Sequence, residues 1–295
     1  MAARTALLPR RPYGTTGEAL SIIGFGGIVV MNSEPAHAAR VVAEAVERGV
    51  NYFDVAPSYG DSEAKLGPAL EPYRKQCFLA CKTAQRLRGP AEEEFRGSLE
   101  RLRTDYFDLY QLHCLADVAK DVDVAFGPGG AMEVLVAEQR AGRIRHLGIT
   151  AHTEAAALAA MERFHFASVL FPINFCTYLR QGLGALVIAE ATKRGTAVLA
   201  LKALARQKWP KDDPRRKSFP KCWYQPLTER AEAELALRFT LDLPIVAAVT
   251  PGEEAMLRLA LDLGGASAPS GPAPLTAAEL QRLRALADTL APIFP

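Results

Sequence analysis

Eight times between Leu20 and Leu263 a short, almost wholly apolar run is followed by a longer stretch whose apolar residues recur at helical spacing. The predicted strands are Leu20–Gly24, Asn51–Asp54, Cys77–Cys81, Tyr106–Leu112, Ile144–Ile149, Ser168–Pro172, Ala197–Leu201 and Ile245–Val249. The predicted helices that follow them are Ser33–Gly49, Asp61–Leu70, Pro90–Arg103, Gly129–Ala141, Thr153–Phe164, Leu186–Arg194, Thr228–Leu241 and Glu253–Leu263. A strand such as Ile245–Val249, IVAAV, has no polar face and needs cover on both sides, which a parallel sheet wrapped by helices supplies. Eight such units close on themselves, so the expected architecture is an α/β fold of the (β/α)8 or TIM-barrel type, a single domain over residues 1–295. An open, doubly wound sheet would carry a glycine-rich phosphate loop after its first strand. The run GFGG at 24–27 lacks the third glycine of that fingerprint.

Three segments stand outside the repeat. Tyr13–Ala19, YGTTGEA, reads as an N-terminal β-hairpin, because Thr-Gly between short β-prone runs is turn chemistry, and it would close the barrel floor. Residues 206–227 are rich in proline and charge and follow the seventh strand, which predicts an irregular loop on the face where barrels keep their active sites. Within it, Trp223 and Tyr224 could line a substrate pocket or simply anchor the loop. The Gly/Ala/Ser/Pro stretch 264–274 reads as a linker. Thr276 and Glu279 then form a capping box that opens an extra C-terminal helix to about Leu290, packed on the barrel wall.

The charge balance narrows the partners. With 35 basic against 33 acidic side chains and no basic stripe, nucleic acid is not an expected partner. No run of about 18 apolar residues offers a membrane span, and nothing at the N-terminus reads as a signal peptide. The five cysteines are an odd number without a disulfide pattern, so a reducing cytoplasm is the expected setting. Cys77, Cys81 and Cys114 read as small packing residues rather than metal ligands.

Polar residues at the C-terminal ends of barrel strands point into the active site. Asp54 ends the second strand, Tyr59 lies in the loop after it, Lys82 follows the third strand and His113 ends the fourth. This set suits proton transfer to a carbonyl oxygen becoming an alkoxide, with Tyr59 as donor and His113 orienting the oxygen. A tyrosine is a weak acid near neutrality. A cation about 4 Å away at an effective dielectric of about 20 is worth about 4 kcal/mol, or about three pK units. Lys82 is therefore expected to depress the Tyr59 pKa, and Asp54 to keep Lys82 charged.

The segments NYFDVAPSYGDSE, FLACK and DLYQLH together resemble the aldo-keto reductase superfamily, from about Gly14 to Leu263. Residues Asp54–Glu63 match that family's D-x-A-x-x-Y-G-x-S-E signature, and Asp54, Tyr59, Lys82 and His113 fall on its catalytic tetrad. GRIRHLGIT, FPINF, LALKAL and KCWYQPL are similar to a bacterial group whose members often carry a C-terminal ferredoxin-like extension. No cysteine cluster follows Cys222, so no iron–sulfur centre or other metal is expected.

The resemblance implies a nicotinamide cofactor, NADP by family habit with NAD as the competitor, and a small-molecule carbonyl or alcohol substrate. It places Gly26, Gly27, Asp54, Thr150, His152, Lys202, Leu204, Gly252, Glu254 and Arg258 at the cofactor. Thr150-Ala151 stands where the family has Ser-Asn, Leu170 where it has glutamine, and Leu201 where it has a ring-stacking aromatic; Lys202 is expected to reach the pyrophosphate. Thr250-Pro251-Gly252 leads a helix whose N-terminus favours phosphate. Glu253 and Glu254 occupy positions where relatives often place a base on the 2′-phosphate, with Arg258 as the nearest cation. A monomer or weak homo-oligomer is expected. The rival readings are a non-catalytic cofactor-sensing barrel and an aldolase forming a Schiff base at Lys82.

Overall fold

The computed structural model describes residues 7–265 and 271–294. Two short strands, β1 (Arg10–Pro12) and β2 (Ala19–Ser21), pair antiparallel as the N-terminal hairpin. The barrel strands then run β3 (Ile23–Gly26), β4 (Tyr52–Asp54), β5 (Phe78–Thr83), β6 (Phe107–Leu115), β7 (Ile144–Ala151), β8 (Ser168–Pro172) and β9 (Ala197–Leu201). An antiparallel ribbon of β10 (Ala205–Lys208) and β11 (Tyr224–Pro226) precedes the last barrel strand, β12 (Ala247–Val249). β12 closes against β3 and β9, giving a parallel barrel of eight strands in sequence order.

Period-two alternation sorts the side chains. Tyr52, Phe78, Ala80, Leu109, Leu170 and Leu199 join an inner cluster, whereas Phe53, Leu79, Tyr110 and Val169 face the surrounding helices. The hairpin closes the floor as expected: Tyr13 is fully buried in the inner cluster and its hydroxyl donates to Ser168 Oγ at 2.7 Å. Gly24 is a close-approach position, since a Cβ there would lie 2.6 Å from the Tyr52 ring. That space lets Tyr52 stand inside the barrel directly beneath Asp54.

Three differences from the sequence expectation have local causes. Leu20–Gly24 is divided between β2 and β3, because Ser21 Oγ donates to the Ile23 carbonyl and its N–H donates to Asn51 Oδ1, which bends the chain from hairpin into barrel. The segment 206–227 is not wholly irregular. Its ends form the β10–β11 ribbon, tied by Gln207 Nε2 to Gln225 Oε1 at 2.8 Å, and only its middle is loop and a short turn of helix at Pro214–Ser218. A helix at Phe175–Gln181 was not foreseen; Asn174 caps it by accepting from the Cys176 and Thr177 amides.

The capping box at Thr276 and Glu279 is present, opening the C-terminal helix Ala277–Asp288. The proposed linker begins inside the helix Glu254–Gly265, and its residues 266–270 lie outside the described residues. No helix among the described residues is long and apolar enough to cross a membrane.

Candidate active site

The strand alternation that puts Tyr52 inside also puts Asp54 there, and the same holds for Ala80 and Lys82 on β5 and for Leu109 and Gln111 on β6. Lys82 Nζ donates to Asp54 Oδ1 and to the Val55 carbonyl at 3.1 Å, and both side chains are essentially without solvent. The other carboxylate oxygen of Asp54 accepts from the Tyr52 hydroxyl and from Gln111 Nε2, each at 3.2 Å. Asp54 is thus a buried carboxylate whose two oxygens are both engaged, the condition under which a buried ion pair is tolerated. Burial works against the charge on Lys82, yet Asp54, Tyr59 and Cys81 together more than restore it, and the ammonium pKa lies above its ordinary value.

Tyr59 covers this pair. Lys82 Nζ lies 5.3 Å from the centre of its ring, and the His113 ring meets it edge-on at 5.8 Å. The expected depression of the Tyr59 pKa does not hold: burial raises it, and the pull of Lys82 is too weak to compensate. Burial is the larger cause, and Asp54, bonded directly to Lys82, adds to it by opposing part of the lysine's field at the phenol. His113 is pushed down to about 3, first by burial and then by Lys82, His152, Arg86 and Lys202, and is a neutral imidazole near neutrality.

These groups open into a cavity of about 240 Å³ that runs from Asp54, Tyr59 and His113 past His152 and Lys202 to Thr250 and Gly252. Gly26 lines it, donating its N–H to Thr250 Oγ1 at 3.1 Å, while Gly27 packs behind, where a Cβ would meet Val55 at 2.8 Å. Thr150 is buried and its hydroxyl accepts the Cys114 N–H at 2.6 Å. His152 Nδ1 is 3.0 Å from Cys114 Sγ. Leu204 is buried away from the cavity, its carbonyl accepting from Leu227 N–H. Gly252 marks a close approach, for a Cβ there would lie 2.4 Å from Ile28 Cγ2.

The last two expected cofactor residues stand apart from the cavity lining. Glu254 is bonded to His37 Nε2 at 2.7 Å, and Arg258 reaches Glu254 at 2.6 Å and both carboxylate oxygens of Glu44. Sequence reasoning missed four neighbours. Tyr52 and Gln111 each sit two residues before a recognised position, so the strand alternation could have found them. Lys221, whose Nζ donates to the Val29 carbonyl at 2.7 Å, and Phe294, whose ring lies 5.5 Å from that of His152, come from loop and tail with no local signal.

A nicotinamide dinucleotide fits this donor set. Asp54 is neutralised by Lys82, and the two other lysines lining the cavity, Lys202 and Lys221, have no carboxylate partner among the described residues. The cavity is therefore net cationic, as a pyrophosphate requires. Among the described residues no group of three or more His, Cys, Asp and Glu side chains could hold a metal ion.

Residues 22–260 match the Aldo/keto reductase family. The chain is 32% identical over 154 residues to the aldo-keto reductase YhdN of Bacillus subtilis, covering 46% of this chain and 44% of that protein. It is 30% identical over 195 residues to L-galactose dehydrogenase of Arabidopsis thaliana, covering 57% and 56%. The matched region thus spans about half the length of these curated relatives. In fold it is similar to the holo form of aldo-keto reductase AKR11C1 from Bacillus halodurans, with a TM-score of 0.73, 24% identity and coverage of 96% and 98%. With the family matched over residues 22–260 and the closed eight-stranded barrel in place, this chain belongs to the Aldo/keto reductase family.

Proposed function

We propose that this protein is an NAD(P)(H)-dependent oxidoreductase that reduces an aldehyde or ketone, including sugar-type carbonyls, to an alcohol. The observation that carries this reading is the buried Lys82–Asp54 pair beneath Tyr59, with the His113 ring against the same phenol. When bound, the cofactor supplies a hydride to the carbonyl carbon. Tyr59 donates the proton to the carbonyl oxygen, and neutral His113 donates a hydrogen bond that orients that oxygen. Because burial raises the Tyr59 pKa, the phenol stays protonated until the oxygen becomes strongly basic. Lys82 then acts on the phenolate that forms, stabilising it as charge develops. Lys221 and the N-terminus of the helix Glu254–Gly265 suit the phosphates, while Gly26 and His152 line the cavity, and Thr150 stands behind it, its hydroxyl accepting the Cys114 N–H.

Family habit favours NADP(H), but one observation favours NAD(H). Arg258 is already held by Glu44 and Glu254, and His37 by Glu254, so the ribose end offers a carboxylate rather than a free cation. Lys82 is unsuited to Schiff-base chemistry, since Asp54 raises its pKa and keeps it protonated. Tyr59→Phe tests the assignment: reduction is lost while cofactor binding persists. A cofactor-sensing barrel would show binding with negligible turnover in the unaltered protein.

A further inference from the structure

Lys202 is a buried cation in the cavity for which the proton-transfer chemistry has no use. Its backbone adopts φ +65°, the left-handed region that a side chain other than glycine rarely enters, and such strain collects where a side chain must be aimed for function. The residue is 8% exposed and lines the same cavity as Tyr59 and His113. Its Nζ stands 5.3 Å from the centre of the Phe294 ring and 5.7 Å from that of Trp223, and it has neither carboxylate nor hydrogen-bond partner among the described residues.

Burial draws the Lys202 pKa down to about 8, which still leaves the amine mostly protonated at neutrality. The same lysine depresses His152 and, among other groups, His113. Lys202 thus adds to burial in disfavouring the charged form of both imidazoles. The two aromatic faces offer some compensation, but a charge-assisted hydrogen bond offers more. A methionine or leucine would fill the same space with no charge to desolvate, so packing does not account for a lysine here.

The neighbours indicate what the anion is attached to. Lys221, on the Ile28 and Gly252 side, serves the helix N-terminus suited to phosphate. Lys202 and His152 flank the same Phe294 ring, and His152 Nδ1 is engaged by Cys114, leaving Nε2 for a ligand. Cys114 directly follows His113, so this corner adjoins the place where the carbonyl oxygen is held.

We infer that Lys202 and His152 form a carboxylate-binding corner, so that the carbonyl compound reduced here is an oxo acid. This rests on the reductase reading above. The test pairs ligands of equal shape and different charge: calorimetric titration with benzoate and benzamide, and turnover of 4-formylbenzoate against 4-formylbenzamide. Both are measured on the full chain and on its Lys202→Met and Lys202→Arg variants, together with NADH and NADPH affinity.

The unaltered protein is expected to bind benzoate at least about tenfold more tightly than benzamide, the discrimination a hydrogen bond to a charged group provides. Lys202→Met collapses that ratio to within about threefold, and the ratio of kcat/KM between the two aldehydes collapses with it, mainly through KM. Lys202→Arg retains much of the preference. Equal binding of benzoate and benzamide, or a preference that survives in Lys202→Met, would overturn the inference. So would a Lys202→Met variant that loses dinucleotide affinity while keeping the benzoate preference, since the anion would then be the cofactor's phosphate. If neither aldehyde is reduced but the benzoate preference is present and lost in Lys202→Met, the corner stands and the reductase reading falls.

Discussion

Lys82 donates directly to Asp54 Oδ1 in a place where neither side chain is more than 2% exposed. Removing one partner leaves the other charged and dry. Asp54→Asn or Lys82→Met should each cost about 3–5 kcal/mol of stability, and the double variant less than the sum of the two. Urea unfolding of the four proteins measures this; additive losses would mean that the pair is not coupled.

The orphaned Lys202 has the opposite consequence for stability. Its folded pKa of about 8 lies below the ordinary 10.5, so the unfolded chain binds the proton more tightly, and the penalty is full below the folded value and fades as pH rises toward the unfolded one. Lys202→Met should therefore stabilise the protein by about 2–3 kcal/mol near neutrality, raising the thermal midpoint by roughly 4–8 °C. The gain should shrink in steps of pH above the folded value. A lower midpoint for the variant would show that the amine already has a strong partner.

His113 works in the acid range. Its folded pKa of about 3 lies below the ordinary 6.5, so the stability it contributes is present above the unfolded value and is lost as pH falls through that window. The loss should approach about 4 kcal/mol at the acid end. His152, at about 4, adds to it over a narrower window. Denaturant midpoints taken across this range should fall steeply in the unaltered protein and less steeply in His113→Gln. Identical slopes would remove His113 from the account.

The ion pairs around Glu254 predict tighter binding of NADH than of NADPH. Glu254→Ser frees Arg258 from one of its two carboxylates and should improve NADPH affinity relative to NADH by about tenfold or less, the worth of a partly exposed charge. Fluorescence titration with both cofactors decides it. A native preference for NADPH would return the 2′-phosphate to Arg258 despite Glu44.

Much of this was legible because it depends on periodicity. The eight barrel strands, the Tyr13 floor plug and the convergence of Asp54, Tyr59, Lys82 and His113 all follow from alternation along strands and from where strands end. The Tyr59 pKa was not legible, because its direction depends first on how deeply the phenol is buried and then on how far Asp54 offsets Lys82, matters of contact rather than spacing. The β10–β11 ribbon was hidden by the prolines and charges of the intervening loop. The family resemblance places Lys202 after β9 at the cofactor only as an expectation, and its aromatic flanks come from the 223 loop and from residue 294, which no local pattern connects.

In the proposed reaction Tyr59 gives its proton to the carbonyl oxygen above the Lys82–Asp54 pair. The most direct test of this step compares Tyr59→Phe with the unaltered protein in single-turnover reduction of an aldehyde and in titration with NADH and NADPH. The account predicts a fall in the rate of reduction by about 10²–10⁴-fold with cofactor affinity nearly unchanged. Reduction by Tyr59→Phe at the unaltered rate would contradict it.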